Sequence, residues 1–460
     1  MESAKSISNA KLLFLFLLFG TFASAQNFKL MRYDENYEFL KDSNRNFYER
    51  LKFIPLNQKK DFYMSIGGEA RYEYVYFNNE DWGRFDTGSN NFILQRYDLH
   101  ADFHLGKNFR VFAQLRSALQ DGIFNGTIGT DQDQLNVQNL FLDVNVYQKE
   151  DKKIIIRAGR QELDYGSGRL ISVQEGRNDR LYFTGGKIMY ASERLYIDAF
   201  AMMQDVVNSG VFDNKMSKQL NLWGAYSKII IPQAGNLDLY YLGIRRDRSV
   251  FEEGIAPERR HTIGTRFWKY GGGFIYNLEA AYQFGTFGSG DINAWTGSID
   301  VGYMFENSRF KPTINLRNDY ISGDKTQGDG DLQTFNPLFP KGGYFGFNPQ
   351  IGPVNLIDIH PYATLDLLSN LQFQLDVVFN WRYSLQDGVY RPGGSLNRLG
   401  SISDKRYIGT AYLASLSYTI NKYISISNGF QYFKTGAFIN NIVPNAKDGI
   451  FFNVQLGFKF

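Results

Sequence analysis

The chain has 460 residues, with 50 Lys+Arg against 47 Asp+Glu, 45 Gly, 40 Phe, 30 Tyr and no cysteine. The missing cysteines exclude a disulfide framework and thiolate metal sites, and the near-balanced charge excludes the distinctly basic domain of a nucleic-acid binder. A negative mean hydropathy excludes a bundle of transmembrane helices, leaving a large secreted β-protein or an outer-membrane β-barrel, whose strands are only half apolar.

Residues 1–25 read as a secretory signal: Lys5 and Lys11 supply positive charge, Leu12 to Gly20 is a short apolar run, and Ala23-Ser24-Ala25 is a small-residue cleavage site. The run is too short to span a bilayer, which takes roughly 20 apolar residues. With Glu2, Lys5 and Lys11 removed, 48 basic residues face 46 acidic ones, a net +2. Residues 26–60 are polar and mixed and are expected to form a periplasmic lead-in with one or two helical turns. The barrel itself is expected over 61–460.

From Phe62 the hydrophobic period becomes two. Tyr72, Tyr74 and Tyr76 alternate with Arg71 and Glu73; Tyr97, Leu99 and Ala101 alternate with Arg96, Asp98 and His100. Leu371, Phe373, Leu375, Val377 and Phe379 oppose Gln372, Gln374, Asp376 and Asn380, and Phe452 to Phe460 repeat the pattern at the chain's end. One apolar and one polar face per segment is the strand signal. A sandwich alternates in the same way, so segment and connection lengths decide. About eighteen segments of roughly 10–16 residues can be counted, long enough to cross a bilayer when tilted.

Short connections such as Gly106-Lys107-Asn108, Tyr270-Gly271-Gly272 and Ser369-Asn370 alternate with long ones near 78–90, 121–135, 161–185, 205–217, 247–258, 286–291, 322–354, 386–403 and 436–449. Short turns on one side and long loops on the other are how bacterial, Gram-negative outer-membrane barrels are built. The sequence therefore predicts an all-β fold, a transmembrane antiparallel β-barrel of about 18 strands with short periplasmic turns and long extracellular loops. Its terminal Phe460 closes an amphipathic strand, an expected signal for the barrel-assembly machinery.

An Arg facing lipid near the bilayer midplane costs roughly 2–4 kcal/mol, so mid-strand charges must point inward. Parity assigns the lumen Glu69, Arg71, Arg96, Asp98, Arg116, Asp143, Arg157, Arg266, Glu279, Arg317, Asp319, Asp376 and Arg382. Such charges can simply pair across a wide barrel. The excess of Arg over Lys points instead to a ladder that passes an anionic, hydroxyl-rich chain, because the guanidinium fork binds carboxylates through two parallel hydrogen bonds. Interior carboxylates would hold those arginines in place. Bringing Arg157 and Arg160 inward together requires a bulge or the strand end.

The stretch Arg157–Gly186 packs Arg157, Arg160, Arg169, Arg177 and Arg180 among Glu162, Asp164, Glu175 and Asp179, with Gly166, Gly168 and Gly176 as punctuation. Within it Gly159–Leu170 (GRQELDYGSGRL), followed by Glu175-Gly176-Arg177-Asn178, resembles the signature of the alginate export family of outer-membrane proteins. Thr334–Pro340 with Tyr344-Phe345-Gly346 looks similar to that family too. So does the run from Tyr390-Arg391-Pro392-Gly393-Gly394 through Tyr407–Thr410 to Phe433–Gly436. The resemblance spans roughly 62–460. It implies an eighteen-stranded, monomeric channel with an arginine-rich constriction that passes a polyuronate without any cofactor. By motif it places Arg160, Glu162, Arg169 and Arg177 in the constriction and its loop support, Asp164 beside them, and Arg391 on the facing wall.

No enzyme motif is present. His100, His104, His261 and His360 lack zinc spacing, Gly166-Ser167-Gly168 lacks the flanks of a nucleophile elbow, and neither Asp131-Gln132-Asp133 nor Asp329-Gly330-Asp331 completes a calcium loop. A passive export channel for an anionic polysaccharide is therefore the leading expectation. Uptake of small anionic solutes, a rim hydrolase using His261, and a scaffold with surface-binding loops are the alternatives. Expected partners are outer-membrane lipids, the polysaccharide and periplasmic polysaccharide-export proteins. Loops 161–185 and 322–354 are the expected constrictors.

Overall fold

Alternating side chains give each segment a lipid face and a lumen face, and only closure spares such a sheet its unpaired edges. The computed structural model describes residues 28–83, 88–122, 130–348 and 350–460, and within them the eighteen expected strands form one closed antiparallel barrel. The secretory signal lies outside the described residues.

The strands are β1 (Phe62–Asn78), β2 (Ser89–Leu105), β3 (Phe109–Asp121), β4 (Asp133–Lys149), β5 (Lys152–Gln161), β6 (Phe183–Ala191), β7 (Leu195–Gln204), β8 (Leu220–Ile231) and β9 (Gly235–Phe251). They continue as β10 (Gly254–Lys269), β11 (Phe274–Phe287), β12 (Gly290–Met304), β13 (Thr313–Ile321), β14 (Leu356–Leu368), β15 (Leu371–Arg382), β16 (Tyr407–Thr419), β17 (Ile424–Thr435) and β18 (Gly449–Lys459). Neighbours pair in sequence order, and β18 returns to β1 in a register that sets Lys459 against Glu69 and Ile450 against Asn78.

The lipid face is apolar, with Tyr72, Leu99, Leu140, Ile188, Leu239, Ile263, Leu316 and Leu375 all exposed on it. The longest strands have 17 residues, about 56 Å at roughly 3.3 Å per residue. That exceeds what a tilted crossing of a hydrocarbon core about 30 Å thick requires, so these strands project beyond the membrane. This corrects two expectations. The loops expected at 247–258 and 286–291 are tight hairpins instead, because β9 and β10 pair up to Phe251–Gly254, and β11 and β12 up to Phe287–Gly290. Gly254 and Gly288, both at positive φ, make those turns possible.

Residues 28–35 form a separate small unit holding one 3-10 turn, Arg32–Asp34. From Asn36 the lead-in belongs to the barrel unit. Its helix α1 (Phe47–Lys52) starts at a capping box between Asn46 and Glu49. Ile54 and Pro55 then pair with Met64 and Tyr63 of β1. Phe53 stacks on Tyr63 and Tyr63 on His104, each at 4.4 Å, so the lead-in is packed against the periplasmic ends of β1 and β2.

Candidate functional site

The lumen is not lined by strands alone. Residues 162–182 leave β5 and turn inward, where they meet the loop 322–355. Ser172 donates its N–H to the Phe339 carbonyl (2.9 Å), Phe339 to Leu170 (2.8 Å) and Lys341 to Gly168 (2.9 Å). Leu163, Leu170, Ile171 and Leu181 pack with Phe335, Leu338, Phe339 and Phe345 against the lumen-facing Phe183, Phe200, Met202, Leu222 and Leu242. A shared apolar core thus fuses the two expected constrictors into one internal body.

Ion pairs tie this body to the wall on two sides. Towards β1–β4, Arg71 donates to the carbonyls of Glu175 and Arg177 (both 3.0 Å). Arg96 bonds Glu69 (2.9 Å) and Glu175, while Arg180 braces the body from within by pairing with Glu162 (3.0 Å). Arg116 grips Asp98 through two bonds of 2.7 and 2.8 Å. The Asn178 amide donates to three carbonyls, of Gln95, Leu119 and Asp131. Towards β11–β13, Arg169 is buried among Asp319, Ser298, Tyr344 and, at 3.4 Å, Glu279.

The remaining expected residues distribute as follows. Arg157 holds Asp143 in the fork geometry (2.7 and 2.9 Å) low on β5. Arg382 is fully buried and caps the carbonyls of Leu385, Gly400, Ser403 and Lys405 over the Phe438 ring, so it clamps an extracellular loop. Arg391 leaves the wall and pairs with Asp81 (2.7 Å) in that same loop layer. Arg177 is half-buried beside Gln174, and Asp164 is exposed to the water inside the barrel.

Arg160 departs from the motif-based expectation of a constriction residue. Its register partner is Leu140, which faces lipid, and its guanidinium is held at the rim by Asp205 (2.6 Å) and the Val137 carbonyl (2.8 Å). The register runs unbroken through Gly159, but Arg160 lies at the end of β5, and there its guanidinium also meets the buried Asn136 (3.2 Å) and the Tyr182 ring (4.8 Å), so it joins the loop layer at the strand end rather than the constriction.

Beneath the fused loops, on the periplasmic side, lies a cavity of about 530 Å³. Its wall comes from β8–β14 and its roof from Gly166, Ser167, Lys341 and Tyr344. Lys228, Arg266, Arg317 and Lys341 face Asp238 and Asp300 across it, four cations against two carboxylates, a net +2. Arg266 bonds Asp238 (3.1 Å) and stacks over Trp268 (4.6 Å); Arg317 bonds Asp300 (2.8 Å) and stacks over Tyr344 (4.8 Å). Tyr226, Tyr270 and Tyr362 complete an aromatic lining.

Enclosure in the lumen, with Arg317 and Arg169 nearby, pushes the Lys341 ammonium down to about 8. Its side chain is nevertheless exposed to the cavity water. Such a chamber can hold carboxylates by charge while ring faces pack on the C–H faces of a sugar.

Of these residues, parity reasoning reached Arg266 and Arg317. It missed Lys341, Tyr344, Tyr226 and Lys228: the first two enter from a loop, and the last two lie on a strand with little polar contrast.

A sequence model of the alginate export family matches residues 62–453. No curated protein matches the chain. Among solved structures it is similar to Pseudomonas aeruginosa OccD3 (OpdP), at 12% identity and a TM-score of 0.59 over 89% of this chain and 93% of that one. It is also similar to a BenF-like porin from Pseudomonas fluorescens Pf-5, at 10% identity and 0.58 over 86% and 98%. Acinetobacter baumannii OccAB1 follows at 11% identity and 0.57, over 90% and 99%. At such identities the likeness is one of fold.

Proposed function

The chain belongs to the alginate export family, a barrel of the bacterial outer membrane, and from that premise we propose that it exports an anionic, alginate-like polyuronate by passive diffusion. That it is a channel follows from the family and the porin-like barrel. The cargo is our reading, and one observation carries it: the periplasmic chamber combines a net positive charge with tyrosine and tryptophan walls. A polyuronate offers one carboxylate and one apolar sugar face per residue, which that lining complements. Arginines neutralised by carboxylates elsewhere in the lumen would keep the chain from being trapped, as conduction requires. Periplasmic polysaccharide-export proteins would deliver it.

The test is the reversal potential of the purified protein in a planar bilayer under a salt gradient, followed by addition of oligomannuronate. Anion preference with block at low polymer concentration is the expected result. Equal permeability to both ions with indifference to polymer would refute the cargo.

A second reading, uptake of small anionic solutes, draws on the volume of the chamber. About 530 Å³ lies within the range of small-molecule sites, and the fused loops roof it. Block by a monomeric uronate as strong as block by the polymer would favour this reading.

A further inference from the structure

Two arginines stand directly opposite each other on the outer face of the barrel. Arg245 of β9 and Arg259 of β10 are register partners, and both are exposed. Like charges opposed across strands destabilise a sheet. Among the described residues, the opposed arginines Arg71 and Arg96 face inward instead and share the Glu175 carboxylate. Outside, Asp247 reaches Arg245 at 3.2 Å. Among the described residues no carboxylate bridges Arg245 to Arg259, and Arg248 adds a further exposed cation on the same strand.

The height of the pair on the wall says what could neutralise it. Below the pair on the outer face, His261 (one outward position under Arg259) and Tyr241 (two under Arg245) are joined by a 2.7 Å hydrogen bond. Phe284 stacks on His261 at 5.2 Å, and the Trp223 indole bonds the Tyr241 hydroxyl (3.3 Å). Ile263 beside Tyr241 and Leu239 below it face lipid. Aromatic rings with polar tips collect at the headgroup level of a membrane. Gly243 separates Tyr241 from Arg245, and the Trp223 ring lies over it. The arginines thus stand beyond the belt towards the extracellular rim, by roughly 7–13 Å along the strands at about 3.3 Å per residue. At that level the outer leaflet carries phosphates.

We infer that Arg245 and Arg259 form a binding site for the phosphate of an outer-leaflet lipopolysaccharide, gripped between their guanidinium forks with its acyl chains against the aromatic belt below. Guanidinium suits this role because it donates in pairs to phosphate oxygens. The phosphate supplies a negative charge shared by both arginines, whereas Asp247 reaches Arg245 alone, and the site is independent of what passes through the lumen.

The experiment compares the full chain with R245Q/R259Q and R245K/R259K, each purified in the same detergent and verified by heat-modifiable migration on gels. Each is titrated with lipopolysaccharide, with enzymatically dephosphorylated lipopolysaccharide and with inorganic phosphate as competitor. Native mass spectrometry reads the bound lipid. Expected is at least tenfold weaker binding by the glutamine variant, an intermediate loss for the lysine variant, and weak binding of dephosphorylated lipid to the unaltered chain. Equal binding by the unaltered and glutamine proteins would overturn the site. So would indifference to dephosphorylation. Displacement by millimolar inorganic phosphate would overturn the lipid as its source.

Discussion

Arg169 and Arg160 sit nine positions apart in one motif and do different things. Arg169 is buried between Asp319 and Glu279 and carries the ring of Tyr344. Removing one member of a buried ion pair costs about 3–5 kcal/mol because the other charge stays buried and unpaired. Arg169→Ala is therefore expected to loosen the fused loops and leave two lumen carboxylates uncompensated. Both effects move single-channel recordings the same way, to higher conductance and a reversal potential shifted towards cations. Arg160→Ala removes a rim contact to Asp205 and is expected to leave the reversal potential where it was; a shift as large as that of Arg169→Ala would return Arg160 to the pore.

Lys341 provides a test by pH. Its ammonium, held near 8, is charged at pH 7 and largely neutral at pH 9, so the chamber loses one of its four cations as pH rises through that window. Anion selectivity is expected to fall between pH 7 and 9 in the unaltered chain and to stay flat in Lys341→Gln. A parallel decline in both would assign the effect elsewhere. The stability sign is opposite. A lysine depressed in the fold binds its proton better when unfolded, so between about 8 and its ordinary 10.5 stability rises with pH.

At the scale of elements, the strands and the two inward loops were legible, and the hairpin tips and the contacts between loops were not. A lipid face and a charged lumen face impose a contrast that period-two reading detects, which is why Arg71, Arg96 and Arg116 could be turned inward from sequence. Hairpin tips such as Glu252-Glu253-Gly254 read as loop because polar residues and glycine mark turns whether or not the flanking strands stay paired. The contact between Ile171 and Phe339 joins segments far apart in sequence, and no local pattern encodes it. Both residues announce only that they are apolar in glycine-rich surroundings. Arg160 is three positions from Arg157 and has the opposite parity, and it is the end of β5 that lets its guanidinium reach Asn136 and the Tyr182 ring. The fused loops carry their own prediction. Phe339 is 5% exposed and stacks edge-on against Phe183 at 5.0 Å. Truncating a buried Phe to Ala costs about 3–5 kcal/mol. Phe339→Ala is expected to release the roof of the chamber and raise single-channel conductance while the barrel still migrates as a folded species; unchanged conductance would mean the roof is held by its ion pairs alone.

The whole molecule depends on one seam. Seventeen of the strand junctions join neighbours in sequence, and the eighteenth must bring β18 to β1 across the entire chain. That seam pairs Glu69–Asn78 with Ile450–Lys459, and Phe460 extends it by two backbone bonds with Gly68, each 3.0 Å. The Phe460 ring lies where a Cβ on Gly68 would be, 2.6 Å from it, so the terminal ring is seated over a glycine that leaves room for nothing else. Backbone groups left unpaired in lipid each cost several kcal/mol, and a barrel has no other strand to offer them. Deleting Phe460 removes the last two bonds of the junction with the greatest sequence separation, whereas Phe460→Tyr keeps bonds and ring. The deletion is expected to lower the folded, heat-modifiable fraction in outer membranes by several-fold, with the tyrosine variant near the unaltered yield. Equal surface yield for all three would show that closure is complete at Lys459 and that the terminal aromatic contributes to neither seam nor assembly.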